Sequence, residues 1–191
     1  MDVARHEVVL VRHGQTEWSR DGRHTGRTDV PLIEEGRQAA TRLGPALSRW
    51  DFALVLTSPR QRARETCRLA GLGDRAAVRE DLAEVDYGDD EGRTTAEIRT
   101  ERPGWTLWRD GPPHGESLEH AGERADRVIA ECRAAPGPVA LFAHGHILRI
   151  LGARWIDLPA TDGGLLALDT AAISVLGWER EAAVLARWNV T

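Results

Sequence analysis

The sequence predicts an α/β fold, a three-layer sandwich with a mostly parallel sheet flanked by helices on both faces, and three observations carry that expectation. Five apolar, β-branched runs, residues 7–11, 53–57, 139–143, 172–178 and 183–188, read as buried strands. Helix-like stretches separate the first three of them, and strands alternating with helices pair in parallel. Only residues 179–182 separate the last two runs, so these read as a hairpin closing one sheet edge.

Taken in order, strand 7–11 is followed by a helix over 34–50, interrupted where Gly44 weakens it and Pro45 removes an amide. Strand 53–57 leads through Pro59 into a helix over 60–70, since proline suits a first helical turn. A short strand over 78–81 and a helix over 95–101 come next. Residues 102–115, rich in proline, glycine and tryptophan, read as a long excursion of the kind that often shapes a ligand site. A helix over 116–134, with Ser117 as its cap, precedes strand 139–143, and a helix over 147–155 comes after it. No repeat or linker divides the chain, so residues 1–191 are expected to form a single domain.

Composition narrows the chemistry. The chain has 191 residues, 41% hydrophobic and 29% charged, enough to bury roughly 70% of its unfolded surface. No run approaches the ~20 apolar residues of a membrane helix, and no secretory cleavage pattern opens the sequence, so a cytoplasmic location and no membrane partner are expected. The formal charge of −5 argues against nucleic acid as a partner. Cys67 and Cys132 match no metal or redox spacing and read as buried thiols. All 25 basic residues are arginine, which excludes Schiff-base lysines and the P-loop lysine. Any chemistry rests on histidine, arginine and carboxylates.

Those residue types collect where the strands end. Arg12-His13-Gly14-Gln15-Thr16 comes directly after the first strand, and His144-Gly145-His146 directly after the third. In open α/β sheets, ligands bind beyond the carboxyl ends of strands, so both histidines point to one crevice. Ser58-Pro59-Arg60-Gln61-Arg62 starts a helix whose amides and dipole favour an anion there. Glu84 heads an acidic loop, Glu84 to Gly92, from which one carboxyl serves as a general acid while the others read as solvated turn residues. Guanidinium forks match phosphate oxygens, a neutral imidazole attacks phosphorus and a protonated carboxyl supplies the leaving oxygen's proton. Together these parts fit phosphoryl transfer through a phosphohistidine.

The order and spacing of Arg12-His13-Gly14, Ser58-Pro59 with Arg62-Ala63 and Thr66, Glu84 with Gly88 and Glu91-Gly92, and Ala143-His144-Gly145 resemble the histidine phosphatase (phosphoglycerate mutase-like) superfamily, from about residue 8 to residue 178. The resemblance implies a phosphoglycerate mutase-like fold. It makes His13 the nucleophile and Glu84 the proton donor, with Arg12, Arg62 and His144 clamping the phosphoryl group. In motif detail the chain is most similar to small acid phosphatases and the fungal sedoheptulose-1,7-bisphosphatase group. That similarity brings Arg149 to a distal phosphate or hydroxyl, with Ser19, His24, Thr25, Gly26, Gly145 and Trp105 as further substrate contacts. Ser19 stands where the family commonly has asparagine, and reaches less far. Ile33 stands where a threonine usually caps the first long helix, which removes a cap worth about 1 kcal/mol.

The resemblance implies a metal-independent phosphomonoesterase acting on small phosphorylated metabolites, sugar phosphates or bisphosphates among them, with an acidic optimum. No metal, nucleotide or flavin signature appears, and no cofactor is expected. A cofactor-dependent mutase is the alternative, since Thr25-Gly26 resembles a mutase substrate segment, but residues 93–115 are short for a mutase lid. Two readings carry less: a metal-dependent hydrolase using His13, His144, His146, Glu84 and Asp86, which places Arg12 and Arg62 beside the cation, and a non-catalytic phosphate-binding module, which needs neither His13 nor Glu84. The oligomeric state is open, a homodimer included.

Overall fold

In the computed structural model, which describes residues 5–191, the apolar runs pair as strands and the segments between them coil as helices. The order is β1 (Val8–Arg12), α1 (Glu17–Arg20), α2 (Glu34–Leu47), β2 (Leu54–Thr57), α3 (Gln61–Leu69), β3 (Ala76–Val78), α4 (Thr95–Glu101), α5 (Leu107–Asp110), α6 (Leu118–Ala134), β4 (Val139–Ala143), α7 (Gly145–Trp155), β5 (Ile173–Glu179) and β6 (Ala182–Val190). The sheet runs β3-β2-β4-β1-β5-β6. Its β1/β4, β2/β4 and β2/β3 pairings are parallel, and β5 and β6 join antiparallel as the expected edge hairpin.

Because successive strand side chains point to opposite faces, each strand feeds two cores. Val9, Val11, Val55, Ala140 and Phe142 pack on one face with Leu43 and Leu47 of α2 and Cys67 of α3. Leu10, Leu56, Leu141 and Leu176 pack on the other with Val128 and Ile129 of α6 and Ile147 and Leu151 of α7. Helices therefore cover both faces, as the continuous apolar runs required. Each fully buried Val, Leu, Ile or Phe contributes about 1.5–3 kcal/mol before conformational entropy is charged against it.

Four local expectations change. Helix α2 runs through Gly44 and Pro45 to Leu47 instead of breaking there. The proline lies in the last turn, where the Ser48 amide takes up the Gly44 carbonyl and little helix remains to be disrupted. The short strand lies at Ala76–Val78, not 78–81, because β2 offers pairing only as far as Thr57, which faces Val78; residues 80–82 turn as a 3-10 helix. The excursion carries a single helical turn, α5, capped by the Thr106 side chain. Asp90, read as a solvated turn residue, is fully buried between Arg93 and Arg102. Ile33, as expected, makes no side-chain cap.

Two glycines tie α2 to the strand end. A Cβ on Gly14 would collide with the Gly36 carbonyl, and one on Gly36 with the Gln15 backbone, so the helix and the loop that leaves β1 approach to backbone contact.

Candidate active site

Parallel register carries the two sequence-distant histidines together. Arg12 of β1 lies opposite Ala143 of β4, so the chain leaves both strands at the same edge, where the His13 amide donates to the Ala143 carbonyl at 3.0 Å. The His13 and His144 ring centroids are 5.2 Å apart.

Hydrogen bonds fix the tautomer of each ring. His13 Nδ1 donates to the Gly14 carbonyl at 2.7 Å, which leaves Nε2 with its lone pair. Arg62 Nε can only donate, so His144 Nδ1 accepts from it at 3.1 Å, and His144 Nε2 carries the proton toward Ser58 Oγ at 2.6 Å. Burial, reinforced by Arg62 and Arg12, pulls His13 down to about 3. Burial, then Arg62 and His13, holds His144 well below its ordinary range. Both imidazoles are neutral near pH 7.

A cavity of about 210 Å3 opens at this edge, lined by Arg12, His13, Ser19, Arg23, His24, Thr25, Glu84, Tyr87, Gly145, His146 and Arg149 among others. Arg12 donates through Nη1 to the Leu168 carbonyl, but its buried Nε–H has no protein partner among the described residues. Gly145 packs against this guanidinium, where a Cβ would sit in ordinary contact at 3.4 Å.

Arg62 and His144 are fully buried and lie outside the cavity lining. The Arg62 Nη atoms donate to the carbonyls of Thr28, Thr25 and Gly26, so this guanidinium holds the 25–28 segment in place and sets a positive charge under the two histidines. Thr66 Oγ1 accepts from the Gly14 amide and donates to the Arg62 carbonyl, which locks α3 to the loop that leaves β1.

Glu84 is held by three amides. Oε1 accepts from Val85 and Ile147 at 3.0 and 2.9 Å, and Oε2 from His146 at 3.0 Å, two of the three belonging to the first turn of α7. Burial pushes its carboxyl up, but the His146 side chain and amide and the neighbouring His144 outweigh burial and hold it well below the usual range. The structure reassigns the helix-terminus role expected of α3. Asp29 caps that helix through the Gln61 amide, and it is α7 that opens onto the cavity.

Among the expected substrate contacts, Ser19, His24, Thr25, Gly145 and Arg149 line the cavity. Arg149 donates to the Gly163 and Gly164 carbonyls and lies over the Trp108 ring at 4.5 Å. Trp105 and Gly26 do not line the cavity. Trp105 turns inward, its indole N–H on the Gly111 carbonyl and its ring against His24, because a buried indole needs an acceptor and finds one in its own loop. The Gly26 amide is taken by Glu91, which also accepts from Thr28. Sequence reasoning passed over Tyr87 and Arg23, which line the cavity. Only an apolar–polar switch at Tyr87 within the acidic loop hinted at the first, and nothing marked the second. Of the residues proposed as metal ligands, no three His, Cys, Asp or Glu side chains converge as a metal-holding group among the described residues.

Neutral burial gives the site a pH signature. His13 and His144 protonate more readily in the unfolded chain than in the folded one, so their stabilisation is complete above about pH 6.5 and is lost as pH falls below it. Glu84 acts in the same direction below its ordinary range, where the unfolded chain takes up protons first. Thermal melting is expected to be flat above about pH 7 and to fall steadily on acidification. A melting point that climbs as pH drops overturns the neutral assignment.

A buried, neutral imidazole with a free Nε2 thus shares a cavity at the end of a parallel sheet with an arginine whose Nε–H is unclaimed among the described residues, within an α/β fold. The chain belongs to the histidine phosphatase superfamily (branch 1), whose model matches residues 8–191, and it is a phosphatase. It is 41% identical over 192 residues to the acid phosphatase of Mycobacterium tuberculosis, covering 97% of this chain and 94% of that one. It is 38% identical over 183 residues to the sedoheptulose 1,7-bisphosphatase of Saccharomyces cerevisiae, covering 78% and 67%. A solved structure of an open reading frame product from Mycobacterium tuberculosis superposes with a TM-score of 0.92 at 40% identity, covering 97% of this chain and 98% of that one. No helix among the described residues is long and apolar enough to cross a membrane.

Proposed function

We propose that this single domain hydrolyses small phosphomonoesters, sugar phosphates or bisphosphates among them, through a phosphohistidine on His13. The observation that carries the reading is the His13 tautomer: Nδ1 is committed to the Gly14 carbonyl, so Nε2 is the nucleophile, beside the unclaimed N–H of Arg12. Arg12 takes the phosphoryl oxygens directly, while Arg62 and His144 stabilise their charge from beneath. Glu84 protonates the leaving oxygen and then takes a proton from the water that attacks the phosphohistidine. It is a carboxylate in the structure as it stands, and a phosphate dianion beside it raises its pKa. With His13 neutral down to about pH 3, the acid side of the profile stays open and activity declines as pH rises past the point where Glu84 loses its proton. The optimum is therefore acidic.

Arg149 and Arg23 add positive charge along the cavity wall, which supports a substrate with a second anionic or polyhydroxyl end. No step calls on a metal or organic cofactor. Cys67 and Cys132 stay separate and buried, which suits a reducing, cytoplasmic setting.

Rapid quench with a ³²P-labelled sugar bisphosphate tests the reading. Acid-labile, alkali-stable label on the protein, chased to inorganic phosphate by water, is the expected result. Label chased onto an acceptor sugar or glycerate identifies a mutase, and turnover that stops in excess EDTA without protein-bound label overturns the phosphohistidine.

A further inference from the structure

His146 is used by the catalytic reading only through its backbone amide, yet its side chain lines the same cavity as Glu84 and lies against its carboxylate. Nδ1 lies 2.6 Å from the Tyr87 hydroxyl and 3.7 Å from Glu84 Oε2. The ring is the more solvent-accessible partner, its side chain 22% exposed against 5% for Glu84. We propose that His146 is the proton relay of the active site, delivering to Glu84 the proton that the leaving oxygen takes, with Tyr87 holding the ring in place. The inference rests on Glu84 as the acid of the proposed phosphatase reaction.

The steps balance. At acidic pH the His146 ring takes a proton from solvent; it then turns so that its Nδ1–H leaves the Tyr87 hydroxyl and closes the 3.7 Å to Glu84 Oε2, gives up that proton and becomes neutral. Glu84 passes that proton to the ester oxygen as its bond to phosphorus breaks and the bond from His13 Nε2 to phosphorus forms. Water then bonds to phosphorus as the P–N bond breaks, and its proton goes to the Glu84 carboxylate. When phosphate leaves, Glu84 returns the proton to His146. Tyr87 suits either state of the ring, because a hydroxyl donates to a neutral Nδ1 and accepts from a protonated one. Burial holds the Tyr87 hydroxyl well above its ordinary range, so it keeps its own proton throughout.

The groups facing the ring set its balance. Glu84 favours the imidazolium, while Arg149 on the same helix and His24, stacked on it with centroids 6.1 Å apart, oppose it. Trp108 of α5 covers another side, 5.2 Å away. Burial and these neighbours lower the His146 pKa, which eases release of the proton once substrate charge has raised that of Glu84.

The backbone makes the test clean, because Glu84 is anchored by amides that a side-chain replacement at 146 leaves in place. His146→Gln and Tyr87→Phe are compared with the wild type on an alkyl phosphate, whose leaving oxygen needs a proton, and on p-nitrophenyl phosphate, whose leaving group departs without one. For His146→Gln the expected loss in kcat on the alkyl ester exceeds that on the aryl ester by about 10²-fold, the scale of a general-acid contribution, and the alkaline limb of the alkyl-ester profile moves to lower pH. Tyr87→Phe removes the hydroxyl that positions the ring, so a smaller loss selective for the alkyl ester is expected; this variant carries the test if His146→Gln does not fold. Equal losses on both esters, or an unmoved limb in His146→Gln, overturn the relay. Quench-trapped label on the wild type separates the two proposals: its absence ends the phosphohistidine reading, whereas label combined with equal losses ends the relay alone.

Discussion

His13→Ala is expected to lower kcat by ~10⁴-fold or more and to abolish protein-bound label, because it removes the proposed nucleophile while Arg12 and the rest of the cavity stay. The scale is that of other enzymes in which removing a nucleophile leaves only binding and electrostatic catalysis. His144 is the nearest imidazole, but both of its ring nitrogens are engaged, Nδ1 by Arg62 and Nε2 by Ser58. His24 Nδ1 is bonded to the Arg93 carbonyl, and the ring lies on the wall of the cavity shared with Tyr87 and His146. Water can still attack a phosphoryl group held by Arg12, which sets a residual rate above that in solution. The substitution removes a small, buried ring whose one hydrogen bond is to the neighbouring residue, so the variant folds and its melting point stays near that of the wild type at neutral pH. Retention of even a tenth of the wild-type turnover by His13→Ala, measured with label trapping in the same sample, removes His13 as nucleophile.

Arg62→Ala is expected to fail in two ways at once. Arg62 has no exposed surface and bonds the carbonyls of Thr28, Thr25 and Gly26 as well as His144 Nδ1. Truncation leaves those buried acceptors without their donor, at a cost of roughly 3 kcal/mol or more. For a chain of this size that is a fall in Tm of about 6–12 °C. Activity falls by a larger factor than the stability loss explains at a temperature where the variant is folded, since the positive charge beneath the phosphoryl site and the lock on the His144 tautomer both disappear. Arg62→Lys keeps a charge but cannot bridge three carbonyls and an imidazole, so it restores little of either. A variant that melts with the wild type while losing turnover assigns Arg62 to substrate alone and contradicts its place as the brace of the 25–28 segment.

How far the site is legible without the fold differs residue by residue. His13 and His144 announce themselves because each comes directly after an apolar strand, and a strand end in a parallel sheet is where such residues face a ligand. Arg62 is legible as a first-turn residue of a helix, but not its direction: that it points under the histidines results from α3 packing against Gly14 through Thr66. Trp105 and Trp108 stand in one loop with the same flanking glycine and proline chemistry, and only packing separates them, one bonded inward to Gly111 and the other under Arg149. Asp90 and Glu91 look like any acidic turn, and their partners, Arg102 and the amides of Gly26 and Thr28, lie in segments that no local pattern joins.

The sequence by itself determined the layered α/β class, the order of the main strands and longer helices, the edge hairpin and the residue types of the chemistry, since these depend on local periodicity and on the few residues that succeed each strand. Tertiary structure alone decided which nitrogen of His13 is free, that Glu84 is a carboxylate held by amides of α7 and not a ready acid, and that the His146 ring lies against it in the same cavity. Those properties depend on distances between groups tens of residues apart, which pairing register and helix packing set to within a hydrogen bond, and no single stretch of chain carries that information.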